Sequence, residues 1–276
     1  MPKRAACAGL LLAGLAGLVC LPAAAGGVQL DDLTWTEVRD GLRAGTTTVI
    51  IPVGGTEQNG PHMALGKHNV RAAALSARIA AKLGHTLVAP VMPYVPEGRI
   101  SPPAGHMRFP GTISVPEDAF AAVIAGAARS LKQHGFLDIV LVGDSGNYQG
   151  RLKDVATRLN REWAGSAARA HYVAAYYDAG TADFAQALRG HGIADRQIGT
   201  HAGLADTSLL MAIDESRVRA DRLAAPGAAD PSSGVTGEPS QSTAALGRIG
   251  VEMIIDKTAA AIRLAIAGRK PASKEK

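Results

Sequence analysis

The sequence predicts an α/β domain with a mainly parallel sheet and helices over both of its faces. Short, continuously apolar, β-branched runs recur along the chain, the pattern of strands buried on both sides. Segments with apolar residues at helical spacing separate those runs. Apolar residues make up 47% of the 276 positions and charged residues 19%, a core-forming composition that suits one large domain.

Residues 47–53 (TTVIIPV) read as the first strand. The next helix carries Val70, Ala74, Leu75 and Ile79 on one face and stops at Gly84. Residues 86–91 form a second strand that runs into a Pro-rich loop over 93–110, where Glu97 and Arg99 are candidates to line a pocket. Ser114-Val115-Pro116-Glu117 has the form of a capping box ahead of a helix bearing Phe120, Val123, Ile124, Ala127 and Leu131, ended by Gly135. Residues 139–142 (IVLV) are the third strand and 171–176 the fourth. Residues 225–242, rich in Pro, Gly and Ser, make a loop before a last helix with Leu246, Ile249, Met253 and Ala260 on one side.

The two ends are set apart from this domain. Lys3 and Arg4 precede an apolar run over 5–22, and Ala23-Ala24-Ala25 supplies a small-x-small cleavage signal before Gly26. That is the layout of a secretory signal peptide over 1–25, and it predicts a periplasmic or secreted protein. Cleavage leaves 251 residues, and both cysteines, Cys7 and Cys20, go with the leader. The mature chain then has no disulfide, no thiol nucleophile and no thiolate metal site. The domain spans 26–268, and the polar residues 269–276 form a disordered tail. A net charge of +5 with interspersed acids, and aromatics at only 4%, exclude a nucleic-acid platform. No membrane partner is expected after cleavage.

Open α/β sheets bind ligands beyond the carboxyl ends of their strands. The first strand ends in Gly54-Gly55-Thr56-Glu57-Gln58-Asn59-Gly60-Pro61-His62, with His68 shortly after. The third ends in Gly143-Asp144-Ser145-Gly146-Asn147, and Thr200-His201-Ala202-Gly203 with Asp206 opens a further helical stretch. Oxygen and imidazole donors from several loops suit a divalent Zn, Mn or Fe ion. Asp144-Ser145-Gly146 lacks the Gly-x-Ser-x-Gly spacing of a serine hydrolase. The glycines after the first strand lack the spacing of a phosphate loop. On spacing alone, Glu57 and Asp144 are metal ligands or simple loop acids.

The string Pro52-Val53-Gly54-Gly55-Thr56-Glu57-Gln58-Asn59-Gly60-Pro61-His62-Met63-Ala64-Leu65 resembles the signature of the creatininase family. Further blocks follow in family order: residues 106–114 (HMRFPGTIS), His201-Ala202-Gly203 with Asp206-Thr207-Ser208, and residues 234–239 (GVTGEP). The resemblance implies a three-layer α/β/α domain, metal-dependent hydrolysis of a non-peptide amide or related C–N bond, and frequent assembly into hexamers. It implies Glu57 as a metal ligand and His201 as the group that protonates the leaving nitrogen.

Several positions depart from the family pattern. Asn59 stands where the family has a ligand His, His68 where it has a metal-bridging Asp, Asp144 where it has a His, and Asp206 where it has a Glu. A carboxylate can bridge two cations, while an imidazole serves one. The expected ligand set is therefore Glu57, His68, Asp144 and Asp206, holding one metal ion or two, with one favoured. Glu57 and His201 are the expected catalytic pair, and His62 and His106 are candidates to bind substrate. The expected function is metal-dependent hydrolysis of a small cyclic or linear amide other than creatinine. A non-catalytic metal- or ligand-binding protein on the same fold is the alternative. A homo-oligomer is expected, and the apolar face of the last helix is either one of its contacts or packed on the chain's own sheet.

Overall fold

The computed structural model describes residues 27–223 and 231–268. The expected leader and tail lie outside these residues. The elements in chain order are α1 (Trp35–Arg43), β1 (Thr48–Val53), α2 (Lys67–Leu83), β2 (Thr86–Val88), α3 (Glu117–Gln133), β3 (Asp138–Gly143), α4 (Gln149–Glu162), β4 (Arg169–Tyr172), α5 (Ala175–Asp178), a π-helical turn at Ala179–Asp183, α6 (Phe184–Gly190), α7 (Asp195–Ile198), α8 (Leu204–Asp214) and α9 (Ala244–Ala267).

The four strands are parallel in the order β2-β1-β3-β4. Side chains alternate across the sheet, which sorts the apolar runs into two cores. Val49, Ile51, Ile139 and Leu141 face one way, onto Phe120 and Ile124 of α3 and Leu152 and Leu159 of α4. Ile50, Val140 and Val142 face the other, onto Leu75 and Ile79 of α2 and Ile254 and Ile262 of α9. The result is the expected three-layer α/β/α sandwich. Because the chain leaves β1 toward β2 and returns to β3 on the other side, a crevice opens beyond the ends of β1 and β3.

Four local readings differ from expectation, the first being the second strand, which ends at Val88 and not at residue 91. The fourth strand is Arg169–Tyr172, not residues 171–176, because helix α5 begins at Ala175. Ser114 does not cap α3. Its hydroxyl donates to Gly98 O at 2.7 Å and accepts from Glu97 N at 3.0 Å, while Pro116 takes the cap position. Helix α2 begins at Lys67, a turn earlier than the apolar spacing indicates, and that turn carries Lys67, His68 and Arg71 into the interior. On α9, Leu246, Ile249 and Met253 pack against the chain's own second core.

Candidate metal centre and active site

The β1 loop begins with a close approach that requires glycine. A Cβ on Gly54 would lie 2.2 Å from Asn69 Oδ1, and that oxygen accepts the Gly55 N–H at 2.9 Å. Asn69 thus ties the loop to the first turn of α2 and brings Glu57 against His68. Asn59 is fully buried and braces the same loop by donating to Glu57 O at 2.9 Å.

His68 lies between two carboxylates. Its Nε2 is 2.8 Å from Glu57 Oε1 and its Nδ1 is 3.1 Å from Asp144 Oδ2. Burial pushes the imidazole down, but the two carboxylates outweigh it and hold His68 above its ordinary value. Burial pushes Glu57 up, and the charge and hydrogen bond of His68, with the charge of Lys67, bring it well below the usual carboxylate range.

Two cations from α2 extend this network. Lys67 Nζ is 3.0 Å from Asp206 Oδ2, and Arg71 Nη1 donates to Asp206 Oδ1 at 2.8 Å. Arg71 Nε also lies 3.1 Å from Asp144 Oδ2, an ionic contact whose N–H is not aligned for a hydrogen bond. Asp206 further accepts the Ala202 N–H at 3.0 Å. Burial opposes ionisation of Asp206, but Lys67 and Arg71 keep it far below its ordinary value.

A second group converges on Glu57 from the opposite side. Glu57, His106 and His201 each offer a ligand atom, and these atoms lie within 4.8 Å of one another. His106 Nε2 is 3.4 Å from Glu57 Oε2, and His201 Nδ1 is 3.8 Å from Glu57 Oε1. His201 donates its Nε2–H to Gln58 O at 3.0 Å, which leaves the Nδ1 lone pair facing Glu57. Burial and the nearby Lys67 charge lower His201 to about 4. Burial likewise lowers His106, so both rings are neutral at pH 7; the His201 Nδ1 lone pair is free for a cation, while Gln58 Nε2 lies against His106 Nδ1.

Gln58 fixes these rings. Its Nε2 donates to Gly234 O at 3.1 Å and lies 3.1 Å from His106 Nδ1, while its Oε1 accepts Gly60 N–H at 2.9 Å. Gly234 has φ +77°, and a Cβ there would come within 2.1 Å of Gln58 Oε1. Because partners of this kind orient a metal-binding ring, Gln58→Met is expected to weaken divalent-metal affinity roughly 10–100-fold without unfolding the chain. Isothermal titration with Zn²⁺ checks this.

Beside His106 lies a cavity of about 520 Å³ walled by Glu97, Arg99, Ser114, Glu117 and Asn147. A larger groove of about 640 Å³ between α3 and α4 contains none of these site residues. Glu97 is buried and accepts from Asn147 Nδ2 at 2.7 Å. Burial, then the charge of Glu57, push its carboxyl up to about 9, so at neutral pH it is a carboxylic acid. The folded state therefore keeps a proton that the unfolded chain releases above about pH 4.5, and stability falls as pH rises from there to about 9. Glu97→Gln removes that loss. The metal-free variant is expected to exceed the wild type by at least ~1 kcal/mol at pH 8 in urea unfolding, with convergence near pH 4.

Of the expected residues, the fold brings Glu57, His68, Asp144 and Asp206 into one network and sets His106 and His201 on the other side of Glu57. His62 lies apart. It is 1% exposed, its Nε2 is 3.0 Å from Thr207 Oγ1, and burial lowers it to about 4. Lys67, Arg71 and Gln58 were not singled out in the sequence. The i, i+4 spacing of Lys67 and Arg71 was the available signal, since it puts both on one helix face.

The creatininase family model, described as creatinine amidohydrolase, matches residues 31–262. A creatinine amidohydrolase of Pseudomonas putida is 29% identical over 202 residues, covering 71% of this chain and 75% of its own. A mycofactocin precursor peptide peptidase of Mycobacterium ulcerans is 29% identical over 234 residues, covering 76% of this chain and 82% of its own. A solved structure described as creatininase Mn superposes with a TM-score of 0.70 at 26% identity, covering 87% of this chain and 99% of that one. With the signature loop, the sandwich and the convergent carboxylate and imidazoles in place, the chain belongs to the creatininase family of metal-dependent amidohydrolases.

Proposed function

We propose that the chain hydrolyses the C–N bond of a small amide seated in the cavity beside His106, with one divalent metal ion held by Glu57, His106 and His201. The convergence of those three ligand atoms within 4.8 Å carries this reading. The donor set fits a cation: Glu57 Oε2 is buried without an N–H donor, and both imidazoles are neutral. Two imidazoles and a carboxylate suit Zn, Mn or Fe in the +2 state. Such an ion, when bound, polarises the scissile carbonyl and lowers the pKa of its water.

The chain's own residues do the rest. Gln58 holds His201 with Nδ1 toward Glu57, and the β1 loop holds Glu57 against His68. With Nδ1 toward the ion and its Nε2–H on Gln58 O, His201 serves in this reading as a ligand and not as the proton donor expected of it. The protonated Glu97 carboxyl, on the cavity wall, is the acid placed to protonate the leaving nitrogen. The two relatives named above act, by their descriptions, on creatinine and on a precursor peptide, so an amide is the shared chemistry.

The test is metal content of the purified chain beside a screen of cyclic and linear amides. One ion per chain, lost with activity in His106→Ala, supports the reading; a metal-free wild type that stays active overturns it. We propose as well that the protein is exported and oligomeric. No helix among the described residues is long and apolar enough to cross a membrane. N-terminal sequencing of the exported protein is expected to begin at or near Gly26, and light scattering is expected to give a multiple of the single-chain mass.

A further inference from the structure

The carboxylates of this site fall into two kinds. Every oxygen of Asp144 and Asp206 already has a donor. Asp206 Oδ1 takes Arg71 Nη1 at 2.8 Å, and Oδ2 takes Lys67 Nζ at 3.0 Å and Ala202 N–H at 3.0 Å. Asp144 Oδ2 meets His68 Nδ1 and Arg71 Nε, both at 3.1 Å, and Oδ1 accepts from Tyr176 Oη at 3.4 Å. Glu57 Oε2 is the contrasting case, buried without such a donor.

The cations that saturate the two aspartates are themselves buried, Lys67 at 1% exposure and Arg71 at 4%. Burying an ammonium or guanidinium costs several kcal/mol per ion unless carboxylates answer it. Two carboxylates facing two monovalent cations are neutral as a group, and those cations together carry +2, the charge of one divalent metal. His68 has both ring nitrogens against carboxylates, so neither presents a lone pair to an incoming ion.

We infer that Lys67 and Arg71 are a built-in replacement for a second metal ion: they hold Asp144 and Asp206 in place by organic charge and limit the site to the single ion at Glu57, His106 and His201. The inference rests on the proposed metal site for that last ion, but not for the exclusion at the aspartates. Both side chains act through the carboxylates and are positioning residues.

The test compares wild type with Lys67→Met/Arg71→Met by ion content per chain after dialysis against Zn²⁺ or Mn²⁺, and by thermal unfolding with EDTA or metal. The double variant leaves buried Asp144 and half-buried Asp206 without their cations, so it is expected to take one ion more than wild type. It should also gain more in Tm on metal addition, since an ion that binds only the folded state stabilises it. A wild type with two ions, or a double variant with no extra ion and no larger Tm gain, overturns the inference. If the double variant does not fold even with metal, Asp206→Asn in the wild-type background decides. Unchanged ion content supports a charge-paired Asp206, and loss of the ion overturns it. A metal-free wild type sinks the Glu57–His106–His201 reading alone, because the double variant would then still acquire one ion, removable by adding Asp206→Asn.

Discussion

Glu57→Gln is expected to strip the bound metal and lower kcat/KM about a thousandfold, equivalent to ~4 kcal/mol of transition-state stabilisation. The amide keeps the shape of the side chain, so the β1 loop stays braced by Asn69 and Asn59. What it loses is the charge on which His68, His106 and His201 converge. Metal analysis and steady-state kinetics on one preparation separate the two effects. Full metal with lost activity would make Glu57 a base and not a ligand, and full activity would remove it from the chemistry.

Arg71→Met is expected to cost about 3–5 kcal/mol of stability, the range for deleting one partner of a buried ion pair. Asp144 would lose its guanidinium contact and Asp206 one of its two cations. Arg78→Ala is the control: its pair with Glu252 is 49% and 60% exposed, and a surface pair contributes less than about 1 kcal/mol. The Arg71 deficit should shrink in acid. Asp206 is depressed in the folded state, so its contribution is present above its unfolded value of about 3.8 and is lost as pH falls through the folded one. Urea unfolding at pH 7 and at pH 3 measures both. Equal losses at the two values would show that Arg71 stabilises by packing and not by charge.

Much of this architecture could be read from residue order. The alternation of β-branched runs and helical spacing foretold the layers, because a strand buried on both faces leaves no other composition open. The placement of Glu57 and Asp144 at the sheet's carboxyl edge followed from the same logic. Lys67 and Arg71 escaped because a lysine at a helix start ordinarily sits in water, and burial of a cation is decided by partners distant in the chain. Asp206 is 139 residues from Lys67. Ser114 misled for a similar reason, since its local pattern suits a cap while a tertiary bond to the Glu97 strand of chain competes for the hydroxyl. The fourth strand was displaced because Tyr176, buried among helices, looks like a strand residue by type.

The stretch from Pro96 to Glu117 both walls the cavity and contributes His106 to the candidate metal site. Under the proposed function this single loop bears on both substrate preference and ion retention, so grafting it from a relative is expected to alter the two traits together. A library randomised across it should split accordingly: survivors vary freely at Arg99 and keep His106, and changes in amide selectivity arise with the ion still in place.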